Sequence, residues 1–256
     1  MISYISQKNG INNFCICEDS LTASIFDLIK YLPSEYIIKI IKNSLLHDKI
    51  PNDCGVFLNI SFWDKWNPKN TTNEKYVEPD IFLRLENIDI IIEAKRFDYF
   101  QQYDDQMKKE ITAYFNEYGS ENKDLYFIQL GGIYDHDDND DLIDVFYPNK
   151  SIKVCKTTWT NLLNTIIYFK EQIQFKNHLN EQHIIRIFDD MIKAFEIHQF
   201  YKIEWLSNLK KVLIKQVKFK ALNYSKPQMT NWLSELSHQK INITNQITLF
   251  PYARFK

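Results

Sequence analysis

Two carboxylates and an ammonium stand in the stretch Pro79–Lys95, PDIFLRLENIDIIIEAK, at a spacing that can do chemistry. The stretch reads as two short apolar strands joined by a turn at Glu86–Asn87. With a two-residue turn, Leu85 pairs with Ile88, Arg84 with Asp89, and Asp80 falls opposite Glu93. Strand alternation puts Glu93 and Lys95 on one face and turns Ala94 away. Carboxylates directly across a ladder have Cβ atoms about 5 Å apart, and like charges there are destabilising. Apolar neighbours raise the cost of each charge. A divalent cation, helped by the Lys95 ammonium, explains why such a pair is tolerated. A one-residue slip would separate the acids, so the pairing depends on the turn.

Other elements must position this hairpin. Before it, EDSLTASIFDLIKYLP reads as a helix with Asp19 or Ser20 as N-cap, an apolar stripe of Leu21, Ile25, Leu28 and Ile29, and Pro33 as its stop. Residues 34–47 continue as a second helix, and Gly55–Trp63 alternates as a strand. WNPKNTTNEK, 66–75, is a polar loop leading into the hairpin. After Arg96 the pattern predicts one long helix ending at Gly119. Leu125–Leu130 and Ile152–Thr157 are predicted strands, and a helix begins near Thr158–Trp159. The order predicts an α/β fold, a small mixed sheet flanked by helices. The expected division is a core over 1–170 and a mainly helical C-terminal region over 171–256 packed on it, with a helical pattern at 180–199.

Composition bounds the function. The chain has 256 residues, 45% hydrophobic and 25% charged, with a net charge of −2, which neither requires nor excludes a nucleic-acid partner. Five glycines and a lone Gly131–Gly132 pair match neither a P-loop nor a dinucleotide fingerprint. Cys15, Cys17, Cys54 and Cys155 form no C-x-x-C, so reduced thiols fit better than a zinc site. The first residues carry no apolar signal core, and runs such as Ile166–Phe169 are too short to span a bilayer. A cytoplasmic protein with no membrane contact is the expectation.

Pro79-Asp80 followed by Glu93-Ala94-Lys95, set on an apolar hairpin between a helix and strand before and a helix and strand after, resembles the signature of the PD-(D/E)XK nuclease superfamily. The resemblance covers residues 14–170. It implies a restriction-endonuclease-like core and a metal-dependent deoxyribonuclease. Asp80 and Glu93, with the Ala94 carbonyl, would hold Mg²⁺, for which Mn²⁺ substitutes, and Lys95 would orient the nucleophile and offset phosphate charge. Glu18, at the start of Glu-Asp-Ser-Leu-Thr on the first helix, matches an acidic residue that many members direct at the metal. Its ordinary alternative is a carboxylate facing the helix dipole, and Asp19 or Asp27 compete for the role. Gln106, in Asp105-Gln106-Met107, matches a glutamine that recurs in the helix after the lysine. Gln101 and Gln102 compete, and Tyr114 reads as core. The same resemblance implies DNA as substrate, endonucleolytic cutting in bacterial restriction or anti-phage defence, an ATPase or helicase partner subunit, and a homodimer. The alternative is a catalytically silent nuclease-fold protein that binds nucleic acid or a partner.

Three other stretches invite functional readings. The acidic run DHDDNDDLID, 135–144, fails as an EF-hand, because Asp140 replaces the sixth-position glycine and Phe146 the twelfth-position glutamate. Residues 205–226, rich in lysine with Trp205, Phe219 and Tyr224 interleaved, are a candidate phosphate-contacting surface. His178 and His183 lie five apart and share no helix face, and His183 and His198 are expected on solvated or interfacial faces.

Overall fold

The structure, a computed structural model, describes residues 2–5, 8, 15–47, 49–97, 101–133, 145–147, 150–176 and 181–202. A helical turn, α1 (Ile2–Tyr4), precedes α2 (Glu18–Ile29) and α3 (Ser34–Ser44). Three strands follow, β1 (Phe57–Phe62), β2 (Ile81–Leu85) and β3 (Ile88–Ala94). Helix α4 (Asp104–Tyr118) leads to β4 (Asp124–Leu130), β5 (Val145–Tyr147) and β6 (Lys150–Thr157), and α5 (Trp159–Lys176) and α6 (Gln182–Ile197) complete the described elements. The strands lie in the order β1-β2-β3-β4-β6-β5. The first three form an antiparallel meander, β3, β4 and β6 run parallel, and the short β5 pairs antiparallel at the edge. The fold is therefore α/β, a mixed sheet flanked by helices.

The sequence pattern explains this layout. Every residue of β3 is buried, as expected of a central strand packed on both faces. Alternate residues feed two cores. Ile88, Ile90, Ile92 and Ala94 face α2, α3, α5 and α6, while Ile91 joins Phe82, Phe127, Met107 and Ile111 beneath α4. The β2–β3 register is the expected one, with Arg84 opposite Asp89 and Ile81 opposite Ile92. Helix α4 is the crossover that parallel strands require between β3 and β4.

Several boundaries differ from the sequence pattern. Helix α2 starts one residue before the expected caps. Cys17 is its N-cap, and the Cys17 N–H donates to Ser20 Oγ at 3.0 Å. Helix α4 begins at Asp104 instead of just after Arg96. Gln101 N–H donates to the Gly132 carbonyl at 2.9 Å, and the Gln102 amide donates to the Glu93 and Gly131 carbonyls, so these residues cross the sheet end extended. Helix α5 runs across position 170, and α6 packs on α2 and α5. The lysine-rich 205–226 stretch lies outside the described residues, as do the acidic run 135–144 and His178. Among the described residues no helix is long and apolar enough to cross a membrane.

Candidate active site

The site forms where β3 leaves the sheet. Extending the β2–β3 register by one pair sets Asp80 level with Glu93. One Asp80 oxygen accepts the Ala94 N–H at 2.9 Å and the other the Trp63 indole N–H at 3.1 Å. Glu93 Oε1 accepts both the Lys95 ammonium and the Gln106 amide, the latter at 2.6 Å. Glu93 Oε2 is buried and has no hydrogen-bond partner. One turn beyond Gln106, Glu110 is 1% exposed, close enough to Glu93 and Asp80 to feel their charge, and also leaves its Oε2 unpartnered. From the other side Glu18 Oε2 accepts the Arg96 N–H at 2.9 Å, and its Oε1 lies 3.7 Å from Lys95 Nζ.

This gathering of acids is electrostatically unbalanced: Glu18, Asp80 and Glu93 share the single ammonium of Lys95, and Glu110 adds a fourth acid beside Glu93 and Asp80. Burial, and then the Glu93 charge, push the Asp80 carboxyl well above the ordinary range, against the pull of the Ala94 N–H. Glu110 is raised well above the ordinary range by burial and by Glu93 and Asp80. Glu18 is raised too, by burial, with Lys95 and the Arg96 N–H opposing. Burial alone would lower the Lys95 value, but Glu93 overrides it and holds the ammonium charged. The cluster lacks positive charge, and buried acids in that state take up either protons or a cation.

The backbone that carries Lys95 is fixed on several sides. Lys95 N–H donates to the Leu130 carbonyl at 2.8 Å, and its own carbonyl accepts the Trp159 indole N–H at 2.7 Å. Trp159 is fully buried between Phe26 and Phe195. Gly131 and Gly132 pass against Lys95 with φ near +70°, and a Cβ at Gly131 would collide with the Lys95 carbonyl. The lone Gly-Gly pair of the sequence is thus the close approach behind the site. Trp63, whose indole holds Asp80, has φ +50°, an unfavourable left-handed conformation for a bulky residue. Hydrogen bonds from its N–H to the Pro79 and Asp80 carbonyls accompany that conformation.

The structure brings Asp80, Glu93, Lys95, Glu18 and Gln106 together. Asp27 bonds Ser3 and Lys30 instead, and Gln102 serves backbone carbonyls. Tyr114 is core, as expected. Of the two faces expected for His198, solvated or interfacial, it takes the interfacial one. It is 1% exposed and sits 2.9 Å from Ser20 Oγ, because the chain turns back after α6 onto α2. Glu110 and Trp63 were not singled out from the sequence, although a signal for Glu110 exists. It falls among Met107, Ile111 and Tyr114 on the apolar stripe of α4, where an acid is out of place. Trp63 carried no such signal, since its role depends on a backbone conformation.

The donors suit a hard cation. Among the described residues no three His, Cys, Asp or Glu side chains stand together as a ready-made cage. What is present is a pair of carboxylates level across a ladder and a buried, unpartnered Glu93 oxygen, the oxygen chemistry that Mg²⁺ and Mn²⁺ take.

No family model matches the chain, and no solved structure matches it. The uncharacterized protein PM0110 of Pasteurella multocida (strain Pm70) is 33% identical over 238 residues, covering 85% of this chain and 89% of that protein. The chain belongs to the same family as PM0110.

Proposed function

We propose that this chain is a metal-dependent nuclease with a restriction-endonuclease-like core, hydrolysing phosphodiester bonds of DNA. The observation that carries the reading is Asp80 level with Glu93, with Lys95 on the face of Glu93 and one buried Glu93 oxygen unpartnered. Asp80, Glu93 and the Ala94 carbonyl are the candidate ligands, with Glu18 at the rim. Bound Mg²⁺ supplies Lewis-acid stabilisation of phosphate charge and makes water more acidic. The chain's own residues do the rest. Lys95 keeps its proton and presents a fixed positive charge to the phosphate, its backbone clamped by Leu130 and Trp159. Gln106 holds Glu93 in orientation, and Trp63 does the same for Asp80.

Endonucleolytic cutting in bacterial restriction or anti-phage defence, a homodimer and a companion ATPase or helicase subunit belong to the same proposal and rest on the resemblance alone. A second reading, a nuclease-fold protein that binds nucleic acid or a partner without cutting, draws on the Lys95 ammonium already lying on Glu93. Plasmid cleavage with Mg²⁺ decides between them. Wild type should cut, and Asp80→Ala, Glu93→Ala and Lys95→Ala should not. Cleavage that survives all three changes would sink the nuclease assignment, and a wild type that neither cuts nor takes up Mg²⁺ in an Asp80-dependent way would favour the second reading.

A further inference from the structure

The two residues after Lys95 combine a fixed backbone with a bare aromatic ring. Arg96 N–H donates to Glu18 Oε2 at 2.9 Å, and Arg96 Nη1 donates to the Ile16 carbonyl at 2.8 Å. The Phe97 carbonyl accepts the Gly132 N–H at 2.5 Å. The Phe97 ring is nevertheless 55% exposed, with the Arg96 guanidinium 5.3 Å from its centroid and the half-exposed Ile16 as neighbour through Arg96. Phe26, Phe62, Phe82, Phe127, Phe188 and Phe195 are all buried. A ring left in water on a clamped backbone, two residues from the ammonium of the site, is a surface made for contact. Among the described residues the apolar area is one ring and one isoleucine, with the Arg96 guanidinium against the ring, which is small and charged for a protein interface.

We propose that Arg96–Phe97 is a stacking platform for an unpaired nucleobase, so that the substrate is single-stranded, or has an unpaired nucleotide, where it enters the site. This deepens the nuclease reading and rests on it. A base inside a duplex already stacks on both neighbours and has no free face to offer, whereas an unpaired base does. Every base has such a face, so the platform adds affinity without sequence preference. The guanidinium on Phe97 extends the stack and places a positive charge within reach of the adjoining phosphate.

The test is fluorescence anisotropy in EDTA, with the full chain titrated against a short labelled oligothymidylate and against a blunt duplex of the same length. Phe97→Ala should weaken single-strand binding about tenfold and leave duplex binding unchanged. Phe97→Trp should keep single-strand affinity. Phe175→Ala, which removes a ring 89% exposed on α5, should change neither. Single-strand binding by Phe97→Ala equal to wild type overturns the platform, as does an equal loss on both nucleic acids. Cleavage with Mg²⁺ separates the two levels. If wild type cuts in an Asp80-dependent way while Phe97→Ala binds as wild type does, the platform falls and the nuclease stands. If wild type neither binds nor cuts either nucleic acid, the nuclease reading falls and the platform with it.

Discussion

Asp89 and Glu93 lie four residues apart on one face of β3, both buried beneath α4, yet their surroundings are opposite in kind. Asp89 is fully buried and satisfied. Tyr114 donates to one oxygen at 2.9 Å, and Arg84 and Lys123 approach the other at 3.5 Å. Glu121 pairs with Arg84 in turn, so two acids meet two cations. Glu93 also has an ammonium and an amide on one oxygen, but its other oxygen has no partner, and Asp80, Glu110 and Glu18 add negative charge around it. A buried acid kept for structure comes with its counter-charges, because an uncompensated buried charge is very costly. A buried acid whose neighbours are more acids is completed either by protons or by a bound cation. That contrast, within one strand and under one helix, separates scaffold from site.

The sharpest way to break the comparison is to make the same change at both places. Glu93→Gln should lower Mg²⁺-dependent plasmid cleavage on the order of 10³-fold. Asp89→Asn should leave the folded protein cutting at close to the wild-type rate. Equal loss in both variants would abolish the distinction. Stability should answer in the opposite sense. Asp89→Asn leaves Arg84 and Lys123 with only Glu121 between them and should cost about 3 kcal/mol in urea unfolding. Glu110→Gln, which removes an acid from the crowded end, should raise the melting temperature in EDTA. Added Mg²⁺ at about 100 times its Kd should stabilise the wild type by about 2.7 kcal/mol, an increment that Glu93→Gln loses and Asp89→Asn keeps.

The pH dependence follows from the raised acids. Asp80, Glu110 and Glu18 hold protons more tightly folded than unfolded. Stability without metal should therefore fall as pH rises from the ordinary carboxylate range of about 4 through the raised folded values. Thermal melts in EDTA across that range measure it. Glu110→Gln should flatten the slope, and an unchanged slope would remove Glu110 from the cluster. The smallest effect belongs to the partly exposed Glu121 on the satisfied side. Glu121→Ala should cost less than about 1 kcal/mol by urea unfolding.

Much of this was legible in the chain. The hairpin register follows from a two-residue turn and from apolar alternation, and Arg84 opposite Asp89 is its direct trace. Glu18 and Gln106 were readable as one helix-start acid and one early glutamine, although the competing Asp27 and Gln102 were equally readable and only packing separates them. Glu110 is visible in the sequence as an acid on an apolar stripe. The start of α4 was not legible, because Gln101 and Gln102 are good helix formers and the carbonyls that hold them come from β3 and the exit of β4. His198 was not legible either, since its partner Ser20 is distant in sequence and the two meet only when α6 lies on α2.

By itself the sequence determined which residues could form a hairpin with two acids level across it and an ammonium beside them. Period, turn and charge are local properties, and local rules suffice for them. The tertiary structure decided that those acids have too few counter-charges and that a third, Glu110, joins them from α4. It also decided that the Gly131–Gly132 pair is spent on the approach to Lys95 and not on a phosphate loop. Burial and long-range pairing set the cost of a charge, and neither exists until the sheet, α4 and the exit of β4 have closed around it.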